Sequence, residues 1–336
     1  MRRPSYIRLS ALDAAFLDVE TQNAHMHVGA VGIFDAAPLR SEDGSVDIDR
    51  IRRLVEHGFR RFPRYRQKLA WIPVFDHPVW VDDARFNIHY HVRHTSLPRP
   101  GDERQLKRLA GRIMSQQLDR GKPLWEMWIV EGIDGDRLAI ISKAHHCLID
   151  GVGGVDLIGS TMGAEARDVA AIDEEPPRWT PHPQPSPQQL LRDELLRLAR
   201  EPVSVARVAL AAARSPRTSA KRLRDAAEGL ADAVVAGLRG ASETQLNVEI
   251  GPHRRFDWTS IPLTDVKVVR EGLHGTVNDV VLATVSGALG RFLAGRGEDT
   301  ANLDFRAMVP VNTRAASEHG ALGNRITMLV ARLPIA

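Results

Sequence analysis

The chain has 336 residues, of which 43% are apolar, 26% charged and 5% aromatic; this composition supports a buried core, lies outside the disordered class, and at this length suits about two domains. Lys+Arg 45 against Asp+Glu 42 leaves a net charge of only +3, too small a surplus to mark a nucleic-acid surface. A single cysteine allows no internal disulfide, the first thirty residues carry Arg2, Arg3, Arg8 and Asp13 without an apolar signal core, and no window approaches ~18 uncharged apolar residues. The expectation is a cytoplasmic protein that does not cross a bilayer, with attachment to a membrane surface left open.

In chain order, SALDAAFLDVE (10–20) combines a capping serine with Leu12, Phe16 and Leu17 near helical spacing and predicts a short amphipathic helix. HVGAVGIF (27–34) reads as a strand. DIDRIRRLVEHGFRRF (47–62) places Ile51, Leu54, Val55, Phe59 and Phe62 on one helical face, with Pro63 as the stop. Residues 65–98 are rich in Val, Ile, Phe, Tyr and Trp but broken by prolines, which predicts short strands or extended segments. DERQLKRLAGRIMSQQL (102–118) returns to helical period. LWEMWIVEGI (124–133) and DRLAIISKAHH (136–146), joined at Asp134-Gly135, have the form of a β-hairpin. A helix is expected over 153–162, so residues 1–171 form a first domain of mixed α and β structure.

Six prolines and no apolar period mark 172–189 as a semi-rigid linker. Two helical segments follow, at 190–201 and 219–241, and residues 172–244 are read as linker and basic crossover. Ten Lys/Arg against six Asp/Glu fall in 190–240; a solvated helix face is the ordinary meaning of such a surplus, with contact to anionic lipid the alternative. Residues 245–336 form a second, partial domain: RRFDWTSIPL (254–263) extended, TDVKVVREGLHG (264–275) and TVNDVVLATVSGALGRFLAG (276–295) helical, FRAMVPVN (305–312) and NRITMLVARLPI (324–335) strand-like.

The chemistry concentrates at Lys143–Gly154, where an apolar strand ends in His145 and His146 and turns at Asp150-Gly151. Neighbouring side chains on a strand face opposite ways, so one imidazole faces a site and the other the core. His146 is assigned to the site and His145 to the core side. Asp150 can double back to order the strand end or pair with an arginine, and Gly151 permits the turn. An imidazole that titrates near working pH can take a proton from an alcohol, amine or thiol attacking a carbonyl. Cys147 is not read as a nucleophile, because strand neighbours diverge rather than converge. No metal is expected from His145, His146 and Asp150 or from His25 and His27, which lack HExxH or CxxC spacing. Gly151, Gly153 and Gly154 match neither phosphate-loop pattern and read as a tight turn.

HHCLIDG, with Pro123-Leu124-Trp125 before it and Val277-Asn278-Asp279-Val280-Val281-Leu282-Ala283 after it, resembles the bacterial wax ester synthase/acyl-CoA:diacylglycerol acyltransferase family. LSALDAAFL, MHVG (26–29), HPVWVDDARFNIHYHVRH (77–94) and RRFDWTSIPL extend the resemblance over nearly the whole chain. HHxxxDG alone also occurs in nonribosomal peptide condensation domains. The resemblance implies an α/β (α+β) fold, a chloramphenicol-acetyltransferase-like two-domain sandwich with mixed, largely antiparallel sheets flanked by helices. It also implies direct acyl transfer from a long-chain acyl-CoA to a fatty alcohol or diacylglycerol, without a covalent acyl-enzyme and with no cofactor beyond acyl-CoA as co-substrate. The reaction would lie in a tunnel where the two halves meet, and peripheral contact with the inner membrane or a lipid inclusion would suit such substrates.

By the same resemblance His146 is the base, His145 belongs to the catalytic motif, and Asp150 and Asn278 support the arrangement. Pro123, Leu124, Trp125, Gly151 and Asp279 shape the substrate site. Family members continue beyond the point equivalent to Ala336, so the second domain is expected to be incomplete: either its remainder is carried by a separate chain, or part of the tunnel is lacking and a sheet edge is exposed. The alternatives are a condensation-domain-like acyltransferase acting on carrier-bound substrates, and a truncated, noncatalytic lipid-binding protein.

Overall fold

The computed structural model describes residues 5–59, 62–148, 179–214, 241–312 and 326–335. The chain divides into two compact units. The first runs to Arg197 and also takes in Ile250–Asp257; the second holds the other described residues after Arg197. Sheets flanked by helices make up the first unit, as the chloramphenicol-acetyltransferase-like expectation requires. The helix expected over 153–162, and nearly all of that over 219–241, lie outside the described residues.

Two sheets organise the first unit. The smaller joins β1 (Tyr6–Arg8), β4 (His77–Asp82) and β3 (Gln67–Ile72) in the order β1-β4-β3, all antiparallel. The larger has the order β2-β7-β6-β5, from β2 (His27–Asp35), β5 (Val92–Ser96), β6 (Trp125–Ile133) and β7 (Arg137–His145). Its β2–β7 and β6–β7 pairs are antiparallel and its β5–β6 pair is parallel. The hairpin read at Asp134-Gly135 is present, with Asp136 as a third loop residue at φ +52. Gly135 takes φ +80 at the loop centre, a conformation that costs glycine little.

The helices follow their caps and apolar spacing. Ser10 caps α1 (Ala11–Asp18) by accepting from the Asp13 N–H. Asp47 caps α2 (Ile48–Gly58), whose Ile51 and Val55, with Phe59 just beyond, are fully buried at successive turns. That helix stops a turn before the expected Phe62, and a 3-10 turn at Pro63–Arg66 leads into β3. Strand β1 and a single helical turn, α3 (Ile88–His91), started by the Asn87 side chain, are among the elements that the sequence does not announce. Asp102 and Gln105 form a reciprocal capping box on α4 (Glu103–Met114), which buries Leu106, Leu109, Ala110 and Ile113.

The described part of the proline-rich stretch is bound to the first unit. His182 donates its backbone N–H to Asp82 Oδ2 at 2.9 Å, with its Nδ1 2.8 Å from the same oxygen. Trp179 meets Phe86 edge to face. Helix α5 (Pro187–Arg214) then starts on a proline, whose missing N–H is no loss in a first turn. Its early turns are fastened by Arg8–Glu194 (2.5 Å) and buried Leu190. Across α4 runs the segment Ile250–Asp257, extended as expected, whose Arg254 N–H donates to Ser115 Oγ at 2.8 Å. Gly111 makes this approach feasible, because a Cβ there would stand 2.7 Å from the Arg254 carbonyl oxygen.

The second unit contains α6 (Leu263–Gly272), α7 (Val277–Ala294) and an antiparallel pair, β8 (Arg306–Asn312) with β9 (Ile326–Arg332). These follow the predicted elements closely. Helix α7 is the one helix among the described residues long and apolar enough to cross a membrane, with a mean hydropathy of 1.3 over its 18 residues. The sequence reading passed over it because Asp279 and Arg291 interrupt its apolar run.

Candidate functional site

Strand β7 carries the two histidines to the end of the larger sheet, but the strand stops at His145. His146 opens a 3-10 turn, His146–Leu148. Two backbone bonds fix this junction: the His145 N–H donates to the Leu124 carbonyl at 2.9 Å, and the His146 N–H to the Met26 carbonyl at 2.7 Å. The two rings have different surroundings: His146 stacks on Phe16, while His145 lies by Glu20 and His27.

The His146 ring is half-buried and stacks on Phe16 of α1, with centroids 3.9 Å apart and planes at 21°. Its Nδ1 is buried and has no hydrogen-bond partner among the described residues. An imidazole held this way has little rotational freedom and keeps unspent bonding capacity, which suits a group that must exchange protons. Asp150 and Gly151, the other members of the motif, lie outside the described residues, as do Gly153 and Gly154.

His145 is fully buried and belongs to a polar cluster that the sequence did not disclose. In the β2–β7 register His27 is directly opposite His145, so their rings share one face at a centroid distance of 6.0 Å. Glu20, just past α1, puts Oε1 3.6 Å from His27 Nε2 and 3.7 Å from His145 Nε2. Its Oε2 accepts from Arg120 Nη2 (2.7 Å), Arg120 Nε (3.2 Å) and Gln117 Nε2 (3.1 Å). The Glu20 side chain is 1% exposed, so the carboxylate is a buried charge that survives because it is paired. Burial alone would raise its pKa; the bonds from Arg120 and Gln117 and the nearby His145 outweigh that and hold it below the usual carboxylate range.

The histidine pKa values also fall, which for an imidazole favours the neutral form. Burial pushes His27 down to about 3, with Lys143 adding to the effect against Glu20. Burial likewise pushes His145 down to about 4, against the pull of Glu20. Both rings are therefore neutral at physiological pH. Lys143, two residues back on the same face of β7, donates to the carbonyls of Ile113 and Gln116 and lies 3.6 Å from Glu126. Among the described residues no group of three His, Cys, Asp or Glu could hold a metal ion.

Cys147 is buried, and burial drives its thiol pKa far upward. A thiol held protonated is a poor nucleophile, in agreement with its rejection on sequence grounds.

Pro123, Leu124 and Trp125 all lie in the core behind the His145 junction. Trp125 donates from Nε1 to the Tyr65 carbonyl at 2.8 Å and stacks on His91 at 4.7 Å. Their direct link to the site is the Leu124 carbonyl, which receives the His145 N–H. Asn278 and Asp279 are exposed on the first turn of α7 in the second unit. The Asp279 carboxylate accepts from the Thr276 N–H and Oγ1, both at 2.7 Å, completing a capping box; those bonds depress its pKa. Of the candidates, the structure thus gathers His145, His146, Pro123, Leu124 and Trp125 around one strand end. Phe16, Glu20 and Arg120, none of which the sequence assigns to the site, join them. LSALDAAFLDVE held the only cue, an acidic residue just past an amphipathic helix, which by itself reads as a solvated charge.

Residues 9–281 match the family model described as the wax ester synthase/diacylglycerol acyltransferase catalytic domain. A Mycobacterium tuberculosis protein carrying a provisional diacylglycerol O-acyltransferase name is 33% identical, over 97% of this chain and 62% of its own length. Another, from strain H37Rv, is 31% identical over 97% of this chain and 66% of its own. The chain thus spans about two thirds or less of these relatives. Among solved structures, a wax ester synthase/diacylglycerol acyltransferase from Marinobacter aquaeolei aligns with a TM-score of 0.58 at 24% identity, covering 87% of this chain and 61% of that one. The first condensation domain of the calcium-dependent antibiotic synthetase aligns with the same TM-score at 13% identity, over 99% and 71%. At such identities the likeness is one of fold.

Proposed function

Because this chain belongs to the wax ester synthase/diacylglycerol acyltransferase family, we propose that it takes part in acyl transfer from a long-chain acyl-CoA to the hydroxyl of a fatty alcohol or diacylglycerol, with His146 as general base. The observation that carries this reading is the anchored, half-buried imidazole at the end of β7, with one ring nitrogen unspent.

His146 takes the hydroxyl proton as the oxygen attacks the thioester carbonyl carbon, and a tetrahedral intermediate forms. The C–S bond then breaks and the imidazolium returns its proton to the departing CoA sulfur. Atoms and charge balance without a covalent acyl-enzyme. The buried Cys147 thiol, held protonated, leaves no obvious rival nucleophile at this strand end among the described residues. Base catalysis supplies about 10²–10⁴-fold, so positioning of the two substrates and stabilisation of the oxyanion provide the rest. Asp150 and Asn278 are assigned supporting roles, and contact with a membrane or lipid surface would deliver the acyl acceptor.

The test is His146→Ala in the full-length protein, followed by release of CoA from palmitoyl-CoA with hexadecanol or dioleoylglycerol. The expected loss is about 10²-fold or more, and undiminished turnover overturns the assigned base. Running the wild type without any carrier protein separates this reading from condensation chemistry on carrier-bound groups.

A further inference from the structure

The cluster beneath His146 has a chemistry of its own. The His145 Nδ1 accepts the Cys147 N–H at 3.1 Å, so that nitrogen carries no proton, and a neutral ring must then carry its proton on Nε2. The group facing Nε2 is the Glu20 carboxylate. A carboxylate there favours the protonated Nε2 through charge and dipole, even beyond direct hydrogen-bond range. The alternative tautomer would present a lone pair to the anion and an N–H to the Cys147 N–H.

We propose that Glu20 is a positioning residue for His146: anchored by Arg120 and Gln117, it holds His145 in its Nε2–H form and thereby fixes the turn on which the base stands. A second route reinforces the first. Arg120 Nη2 also donates to the Leu17 carbonyl at 2.9 Å, tying the end of α1 to the same carboxylate, and α1 supplies the Phe16 ring stacked on His146. Glu20 also lies 3.4 Å from the Met26 N–H, and the Met26 carbonyl receives the His146 N–H. One carboxylate therefore bears on the tautomer of the neighbouring histidine, the helix that stacks on the base, and the backbone that anchors it. The donors from Arg120 and Gln117 around Glu20 form the kind of support shell that holds a catalytic ring in place.

The inference rests on His146 being the base, and two readouts separate its failure from the failure of that assignment. In the full-length protein, Glu20→Gln keeps the shape of the side chain and removes its charge; Glu20→Gln with Arg120→Gln removes the counter-charge as well, in case an unpaired Arg120 prevents folding. For each, kcat and KM for palmitoyl-CoA and hexadecanol are measured with the folded fraction from circular dichroism. ¹⁵N-histidine correlation spectra, assigned with His145→Gln, report the tautomer of His145.

The expected result is a fall in kcat of about tenfold or more, per folded molecule, with both KM values within about threefold, together with loss of the pure Nε2–H signature. The scale follows from the cost of small misplacements of reacting groups. A kcat within twofold of wild type, a loss that merely tracks the folded fraction, or an unchanged tautomer overturns the proposal. If the wild type turns over no acyl-CoA at all, the proposed function fails, while the tautomer spectra still decide whether Glu20 sets the state of His145.

Discussion

The two units treat their apolar residues differently. In the first, α2 and α4 bury their apolar faces, and Phe59, Tyr65, Trp80 and Trp125 lie in a common core with centroid distances of 5.6–6.1 Å between Phe59, Tyr65 and Trp125. In the second, α6 buries no residue, and α7 buries only Ser286, Gly290 and Leu293. Val277, Val281 and Val285 repeat every four residues along α7, all 40% or more exposed. Helical spacing of apolar residues marks a face; whether burial rewards it depends on what packs there. A buried carboxylate such as Glu20 needs the first kind of surroundings, since it requires fixed donors to offset its loss of water.

The sharpest break of this contrast comes from Trp125→Ala. It removes a fully buried ring, its bond to Tyr65 and its stack on His91, and should cost about 3–5 kcal/mol. Urea unfolding followed by tryptophan fluorescence is suited to the measurement, because five of the six tryptophans, all but Trp258, belong to the first unit.

Acid should loosen the same unit next. The folded His27 and His145 titrate at about 3 and about 4, well below the ordinary value of 6.5. Unfolded chains therefore take up protons first as pH falls, and stability present above about pH 6.5 is lost progressively, down to about pH 4 for His145 and about pH 3 for His27, by on the order of 3 kcal/mol for His145. The urea midpoint should fall across that window, and His145→Gln should flatten the dependence; an equal slope in the variant would exclude His145 as its source.

The smallest effect belongs to the other side of the comparison. Val281→Ala on the exposed face of α7 should change stability by no more than about 0.5 kcal/mol. A cost of 2 kcal/mol or more would show that this face is covered in the folded protein.

Part of the candidate site was readable from residue order. The strand ending in two histidines follows from short-range geometry, and the structure adds that His145 closes the strand while His146 starts a turn. Glu20 was not readable. It is 125 positions from His145 in sequence, and nothing in FLDVE distinguishes a solvated glutamate from one that is 1% exposed. Only the β2–β7 register, which sets His27 against His145, and the Arg120 bond place it beside His145.

Local patterning by itself determined most of the elements: the capped helices α1, α2, α4 and α7, the β6–β7 hairpin at Asp134-Gly135 and the strands β8 and β9. These depend on interactions between residues a few positions apart, which a linear pattern records directly. Tertiary structure alone decided the parallel β5–β6 pairing, the binding of the proline-rich stretch through Asp82, the passage of Arg254 over Gly111, and the gathering of Glu20, His27, Arg120 and His145. Each brings together groups tens to hundreds of residues apart, and their free energy comes from burial and charge pairing that exist only once the chain has closed around them.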